Sequence, residues 1–470
     1  MTGSPIVGAA VARLWRDLTM PEVALPHLEL TGADPVVPSS FAAGAAAQAS
    51  LGAAVLAAAE LWHLRTGRRQ TARVDMRAAA LECFCHFSLD GVVPPTWDKL
   101  SGLYRCDEDG GSGHVRIHAN FAHHRDRALA VLGLPAGEAT ERAAVEAALA
   151  RWRADDFEQA AAEAGAVIAA VRSFADWDRH PQAAALADLP TMSIERIGDA
   201  PARALPRLAA GGLPLAGVRV LDLTRILAGP VAGRTLAAYG ADVLLVNSPS
   251  LPNIAAIAET SRGKLSAHVD LATAAGRARL AQLVAGAHVF IQGYRPGAIA
   301  AHGFAAEQLA ELSPGIVAVS LSAYGHVGPW RERRGFDSLV QTATGFNHAE
   351  AAAFGASTPK ALPMQILDYA SGFLMAFGAA AALIRQQREG GSWHVRVALA
   401  QTARWLRSLG RVADGPSAPA PSIESAMRAY PSGFGRLMAV PHAAELSETP
   451  PRWSRPSMPP GSHEAAWPDA

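Results

Sequence analysis

Asp368 stands directly ahead of a long apolar run, Tyr369 to Ile384, and is the side chain in this sequence best placed for covalent chemistry. A carboxylate there is pulled two ways, because a helix N-terminus favours its ionised form while desolvation disfavours it. A charged but poorly solvated carboxylate is what nucleophilic attack on a carbonyl requires. The same position suits an N-terminal helix cap, a role Asp fills very often. The residue by itself leaves nucleophile and cap both open.

Other loops offer positive charge and free backbone N–H groups. Arg225-Ile226-Leu227-Ala228-Gly229-Pro230 lies between a strand, Val218 to Leu223, and a helix, Val231 to Tyr239. Open α/β sheets hold anionic ligands at such junctions, although Gly229 and Pro230 also suit a plain tight turn. The glycines at 229 and 233 lack dinucleotide spacing, and the second strand ends in Asn247 rather than an acid, which argues against a nicotinamide site. Ser261-Arg262-Gly263-Lys264 and Gln292-Gly293-Tyr294-Arg295-Pro296-Gly297 each set a cation beside a strand, as a phosphate contact or as an ordinary solvated loop.

The elements that must position these groups follow from the patterning. From Leu215 onward strands and helices alternate, with further strands at Asp242 to Val246, His288 to Ile291 and Gly315 to Ser320. That alternation predicts an α/β fold with a Rossmann-like, doubly wound parallel sheet, joined to a smaller α+β domain. The long helix from Tyr369, the turn Arg388-Glu389-Gly390-Gly391 and the strand His394 to Leu399 repeat an earlier plan, an Ala-rich helix from Ser39 to Trp62 followed by a basic turn and the strand Thr71 to Met76. The two stretches align without a gap, Val397 upon Val74, so that Ala45 falls opposite Asp368. The expected organisation is an N-terminal helical repeat over 1–99, a small α+β domain over 100–205, a Rossmann-like large domain over 206–410 and a Pro-rich tail over 411–470.

Composition narrows the partners. Lys plus Arg equals Asp plus Glu, 42 each, so no global field draws in nucleic acid or an anionic membrane, and neither is expected as a partner. Cys83, Cys85 and Cys106 make neither a disulfide framework nor a zinc motif, and no metal is expected. No secretory signal opens the sequence, which gives a cytoplasmic expectation.

From Leu215 to about Leu409 the chain resembles the class III CoA-transferases of CaiB/BaiF type, the family of formyl-CoA transferase, carnitine CoA-transferase and alpha-methylacyl-CoA racemase. The stretches that carry the resemblance are GVRVLDLTRILAGP, LAAYGADVLLV, SRGKLSAHVDL, VFIQGYRPG, LSAYGHVGPW, GFDSLVQTATG and ILDYASG, in that order. RTGRRQTARVDM and YRCDEDGGSGHVRIHANF, early in the chain, resemble the family's later portion, as in a permuted or partly duplicated member.

The resemblance implies an acyl-CoA:carboxylate CoA-transferase that works through an aspartyl-CoA thioester on Asp368, with coenzyme A entering as acyl-CoA and a carboxylic acid as acceptor. It further implies that Arg225, Ile226, Leu227, Ala228, Gly293, Tyr294, Arg295 and Arg334 line the CoA groove, with Arg262 and Lys264 as further phosphate ligands, and that the chain forms a homodimer. Racemase members carry a His where this chain has Phe336, which cannot exchange a proton; Asp337 is the candidate second carboxylate. At the end of the second strand, where Lys and Glu are common in the family, stand Leu245 and Asn247. The segment from Asp109 to Gly113 is the candidate for a glycine-rich closing loop. The alternatives are a racemase-like enzyme and a CoA-binding homologue without turnover.

Overall fold

Runs of Val, Leu and Ile without polar alternation mark strands covered on both faces. The computed structural model, which describes residues 4–106 and 113–468, gathers them into one seven-stranded sheet. Its strands are β1 (Met192–Gly198), β2 (Arg219–Leu223), β3 (Asp242–Asn247), β4 (Lys264–His268), β5 (Val289–Gln292), β6 (Val317–Ser322) and β7 (Ser392–Ala398). The order across the sheet is β4-β3-β2-β5-β6-β7-β1. Strands β2 to β7 are parallel, and β1 closes the edge antiparallel to β7. Chain direction across the sheet reverses between β2 and β5, the switch point outside whose carboxyl ends α/β sheets bind ligands.

Strand β1 falls in the span expected for the small domain yet belongs to the large sheet, with Met192 opposite Val397. The small domain itself is an antiparallel sheet of Gly102–Arg105, His114–Ile117 and Ile168–Ala170. Its own core includes Tyr104, Ile117, Leu149 and Phe157.

Five helices shape the site: α1 (Ala43–Thr66), α2 (Ala122–Val131), α3 (Ala228–Ala238), α4 (Asp337–Ala343) and α5 (Ile366–Glu389). Helices α1 and α5 are apolar all round because both are buried along most of their length. Each is long and apolar enough to cross a membrane, and each is instead packed inside the protein. α5 lies between α1 and α3. A Cβ at Gly372 would stand 2.5 Å from the Ala228 carbonyl oxygen, so this glycine lets α5 touch the first turn of α3.

The first and last hundred residues interlock. Ala72–Asp75 pairs parallel with Leu28–Thr31 and antiparallel with Ala444–Leu446, and Phe87–Leu89 pairs with Leu437–Ala439. The Pro-rich segment thus adds strands to sheets begun at the other end of the chain.

Candidate active site

Helix α5 begins three residues earlier than its apolar pattern indicates, at Ile366, and this settles the position of Asp368 within it. Asp368 occupies the third helical position rather than the cap; the cap is Gln365, whose side chain makes no capping bond. The acceptor for the helix N-terminus comes instead from Asp337, the first residue of α4. Its Oδ2 receives the Asp368 backbone N–H at 2.9 Å, and the carboxylate also accepts from the Leu367 N–H and the Gln341 side chain. Asp337 is therefore a buried capping carboxylate that fixes the turn bearing Asp368.

Two carboxyl groups so close and so buried resist ionisation. Burial, opposed by the hydrogen bonds it accepts, pushes the Asp337 carboxyl up to about 7. Asp368 is raised well above the usual carboxylate range, first by burial and then by the charge of Asp337. Such placement is unfavourable for stability, which marks a functional position more than a packing one.

Asp368 is 8% exposed, and that exposure opens on two cavities of opposite character. One is lined by Arg225, Ile226, Leu227, Ala228, Gly293, Tyr294 and Arg295, and also by Arg333 and Phe336. The other is walled by Phe84, Phe87, Pro94, Pro95, Trp97, Ile226, Ile254 and Phe336. Ile226 belongs to both, and its φ of 75° is a left-handed conformation that a β-branched side chain rarely adopts. The loop it belongs to brings Leu227 and Ala228 to the same groove as Asp368.

Arg334, expected to line the groove, is not among its lining residues and stands in a cationic cluster with Arg295, Arg127 and His123. Burial and then Arg295 and Arg127 lower the Arg334 guanidinium, and burial and then Arg127, Arg334 and Arg225 lower the His123 imidazole. Among the described residues, no carboxylate lies within ion-pair distance of Arg127, Arg225, Arg295 or Arg334. Guanidinium groups gathered without a counter-ion make a receptor for phosphates. Arg127 and His123, on α2 of the small domain, have no signature in the sequence, because a folded contact brings them to the cluster.

Arg262 and Lys264 are elsewhere, and their expected phosphate role is corrected. Lys264 is 0% exposed; its ammonium donates to Asp222 Oδ2 at 2.8 Å and to the Pro230 carbonyl at 2.8 Å, joining β4, β2 and the first turn of α3. A Cβ at Gly233 would stand 2.2 Å from Asp222 Oδ2, so only glycine fits over this ion pair. Arg262 is 1% exposed, pairs with Glu259, and lies over Trp453 at 4.0 Å and Tyr430 at 4.5 Å. Its work is to anchor the C-terminal segment. Residues 109–112 of the candidate closing loop lie outside the described residues.

Phe336 carries an unexpected neighbour. The His118 ring, which follows the strand His114–Ile117, stacks on it with centroids 3.9 Å apart. His118 lines the apolar cavity with Asp368, is 5% exposed, and its Nδ1 has no hydrogen-bond partner. Burial and then Arg116 lower it to about 3, so it is a neutral imidazole at physiological pH.

An arginine-lined groove at the switch point thus ends on a buried carboxylate beside an apolar cavity. Residues 215–435, a little under half of the chain, match the family described as CoA-transferase family III. The chain is 30% identical over 348 residues to an acyl-CoA transferase of Gibberella moniliformis, covering 66% of this chain and 60% of that one. It is 33% identical over 205 residues to the succinate–glutarate CoA-transferase of Agrobacterium fabrum, covering 40% of this chain and 51% of that one. A crystal structure of a hypothetical protein from Mycobacterium tuberculosis is similar at 32% identity and a TM-score of 0.39, covering 42% of this chain and 58% of the other. The chain spans between 34% and 60% of the length of the first relatives it matches.

Proposed function

We propose that the protein transfers coenzyme A from an acyl-CoA to a carboxylic acid, with Asp368 as the covalent carrier. The carrying observation is that Asp368 lies where the arginine-lined groove and the apolar cavity meet. Phosphates and pantetheine occupy the groove, the acyl group occupies the cavity, and the thioester carbon rests on the carboxylate. An Asp368 oxygen bonds to the acyl carbon as the C–S bond breaks, giving a mixed anhydride and CoA thiolate. The thiolate then attacks the Asp368 carbonyl, expelling the donor acid and leaving aspartyl-CoA. The acceptor carboxylate attacks that thioester, and the released thiolate takes up the new acyl group. Nucleophiles that are desolvated before attack lose little hydration on reaching the transition state.

The test is incubation with acyl-CoA in the absence of acceptor. A CoA adduct that hydroxylamine removes and Asp368→Ala abolishes is expected on the intact protein; acyl-CoA bound without any adduct overturns the reading.

A second reading, proton exchange at the acyl α-carbon, is favoured by the neutral His118 imidazole in the cavity that Asp368 also lines. It supplies from another segment the proton acceptor that Phe336 lacks. Deuterium wash-in at the α-carbon, lost in His118→Gln while CoA transfer persists, is its expected signature. No wash-in with a donor that transfers CoA sinks it.

A further inference from the structure

Resting on the transferase reading, we propose that the apolar cavity makes the protein selective for acyl-CoA donors with an uncharged hydrocarbon acyl group, and that it rejects donors whose acyl group ends in a second carboxylate. Relatives with dicarboxylate substrates in their names do not suggest this; it follows from what the cavity wall contains and lacks.

The wall is built by Phe84, Phe87, Pro94, Pro95, Trp97 and Ile254. All but Ile254 lie in the segment 84–97 that leads from the repeated helix region to the small domain. Val92 and Val93, just before the two prolines, expose large apolar surface to solvent, and Trp97 is exposed in part. An apolar lining that continues outward as an apolar rim suits an extended alkyl or aryl group, for which burial gains about fourfold in affinity per methylene.

Among the described residues, no Lys or Arg lines the cavity. The Arg116 guanidinium is outside that lining and lies over the Trp97 ring, 5.1 Å from its centroid. Apart from Asp368 the polar groups that line it carry no charge: the Ser338 hydroxyl and His118 Nδ1 have no hydrogen-bond partner, and Asn120 is engaged. Asn120 donates to the Thr96 carbonyl at 2.8 Å and accepts from the Asp98 N–H at 3.0 Å and the Ser101 hydroxyl at 2.7 Å, so it staples the rim loop. His118 is uncharged. A terminal carboxylate brought in here would be desolvated with no cation to neutralise it and would face Asp368, with Asp337 behind it. Arg225 and Arg295 line the groove on the other side of Asp368.

A matched pair of donors reads this directly: hexanoyl-CoA and adipyl-CoA have acyl chains of equal length and differ only in the terminal carboxylate. The wild-type protein is expected to form its Asp368 adduct, and to turn over with a common acceptor, at least a hundredfold faster in kcat/KM with hexanoyl-CoA. Equal rates, or a faster adipyl-CoA reaction, overturn the proposal. If no donor of any kind forms an adduct, the transferase reading fails; the selectivity is then decided by calorimetric binding of the same two compounds, where hexanoyl-CoA at least tenfold tighter sustains it and equal affinity overturns it. Two variants locate the effect. Trp97→Ala should lower the hexanoyl-to-acetyl ratio at least fivefold, and Thr96→Arg should narrow the hexanoyl-to-adipyl ratio at least tenfold. Unchanged ratios in both folded variants, checked by thermal denaturation, remove the cavity as the source of selectivity.

Discussion

Helices α1 and α5 are both 24 residues long and pack against each other, and each leads within a few residues into a strand. The strand after α1, Ala72–Asp75, has one parallel and one antiparallel neighbour, and so has β7 after α5. The likeness extends to the helix N-termini. In α5 the N–H of Asp368 is received by Asp337 Oδ2 at 2.9 Å; in α1 the N–H of Ala45, the matching residue, is received by Asp34 Oδ2 at 3.0 Å. The same anionic cap therefore serves both copies, and only one carries a second carboxylate on the capped turn. Ala45 is sealed in the core, whereas Asp368 faces two cavities. In the proposed reaction the chemistry falls on the copy that carries a charge which a buried, anion-capped helix end does not favour.

Making α5 resemble α1 has the largest expected effect. Asp368→Ala should reduce CoA transfer by roughly a thousandfold or more. The same change removes a buried acid beside Asp337, so stability should rise by about 1 kcal/mol, measurable as a higher urea midpoint. Loss of stability on a similar scale would mean that Asp368 serves packing. The converse change, Ala45→Asp, buries a carboxylate against Asp34 with no cavity to relieve it. It should destabilise by about 3 kcal/mol and add no activity.

Asp337→Asn sharpens the comparison by keeping an acceptor for the helix end while removing its charge. Because the charge of Asp337 adds to burial in raising the Asp368 carboxyl, the acid limb of the rate profile should move to lower pH. Stability should respond as well. Asp337 titrates near 7 in the folded protein and near 3.8 otherwise, so its protonated form stabilises below about pH 4 and that contribution is lost as pH rises toward 7. Wild type should lose on the order of 2 kcal/mol over that window relative to Asp337→Asn, followed by chemical denaturation at each pH.

How much of this was legible in the sequence depended on the range of the contact. The strands of the large sheet and the paired long helices are local patterns, and Arg225 and Arg295 sit in loops whose place follows from the strand order. Lys264 looked available because its partner Asp222 is 42 residues away. Arg262 misled in a different way: Glu259 is only three residues distant, but that Trp453 and Tyr430 would close over the pair is a property of the fold. His118, His123 and Arg127 reach the site from the small domain, and the apolar wall from residues 84–97, through contacts that no spacing announces. Asp34 and Asp337 perform the same task from positions that the gapless alignment does not match, so the shared cap is visible only in three dimensions.

The smallest expected effect tests whether that cap is purely structural in α1. Asp34 also accepts from the N–H groups of Gly44 and Val36, and burial raises its carboxyl above the ordinary value. Asp34→Ala leaves these donors buried and unmet, at a cost of about 1 kcal/mol, seen as a lower melting temperature. Asp34→Asn retains an acceptor and removes a charge that burial disfavours, so at neutral pH it should match or exceed wild type. In both variants kcat/KM per folded molecule should equal that of wild type, because neither cavity beside Asp368 is lined by Asp34 or Ala45. A fall in kcat/KM with Asp34→Asn would show that the two capped turns are coupled through the contact between α1 and α5, so that the copy without a carboxylate helps to hold the one that has it.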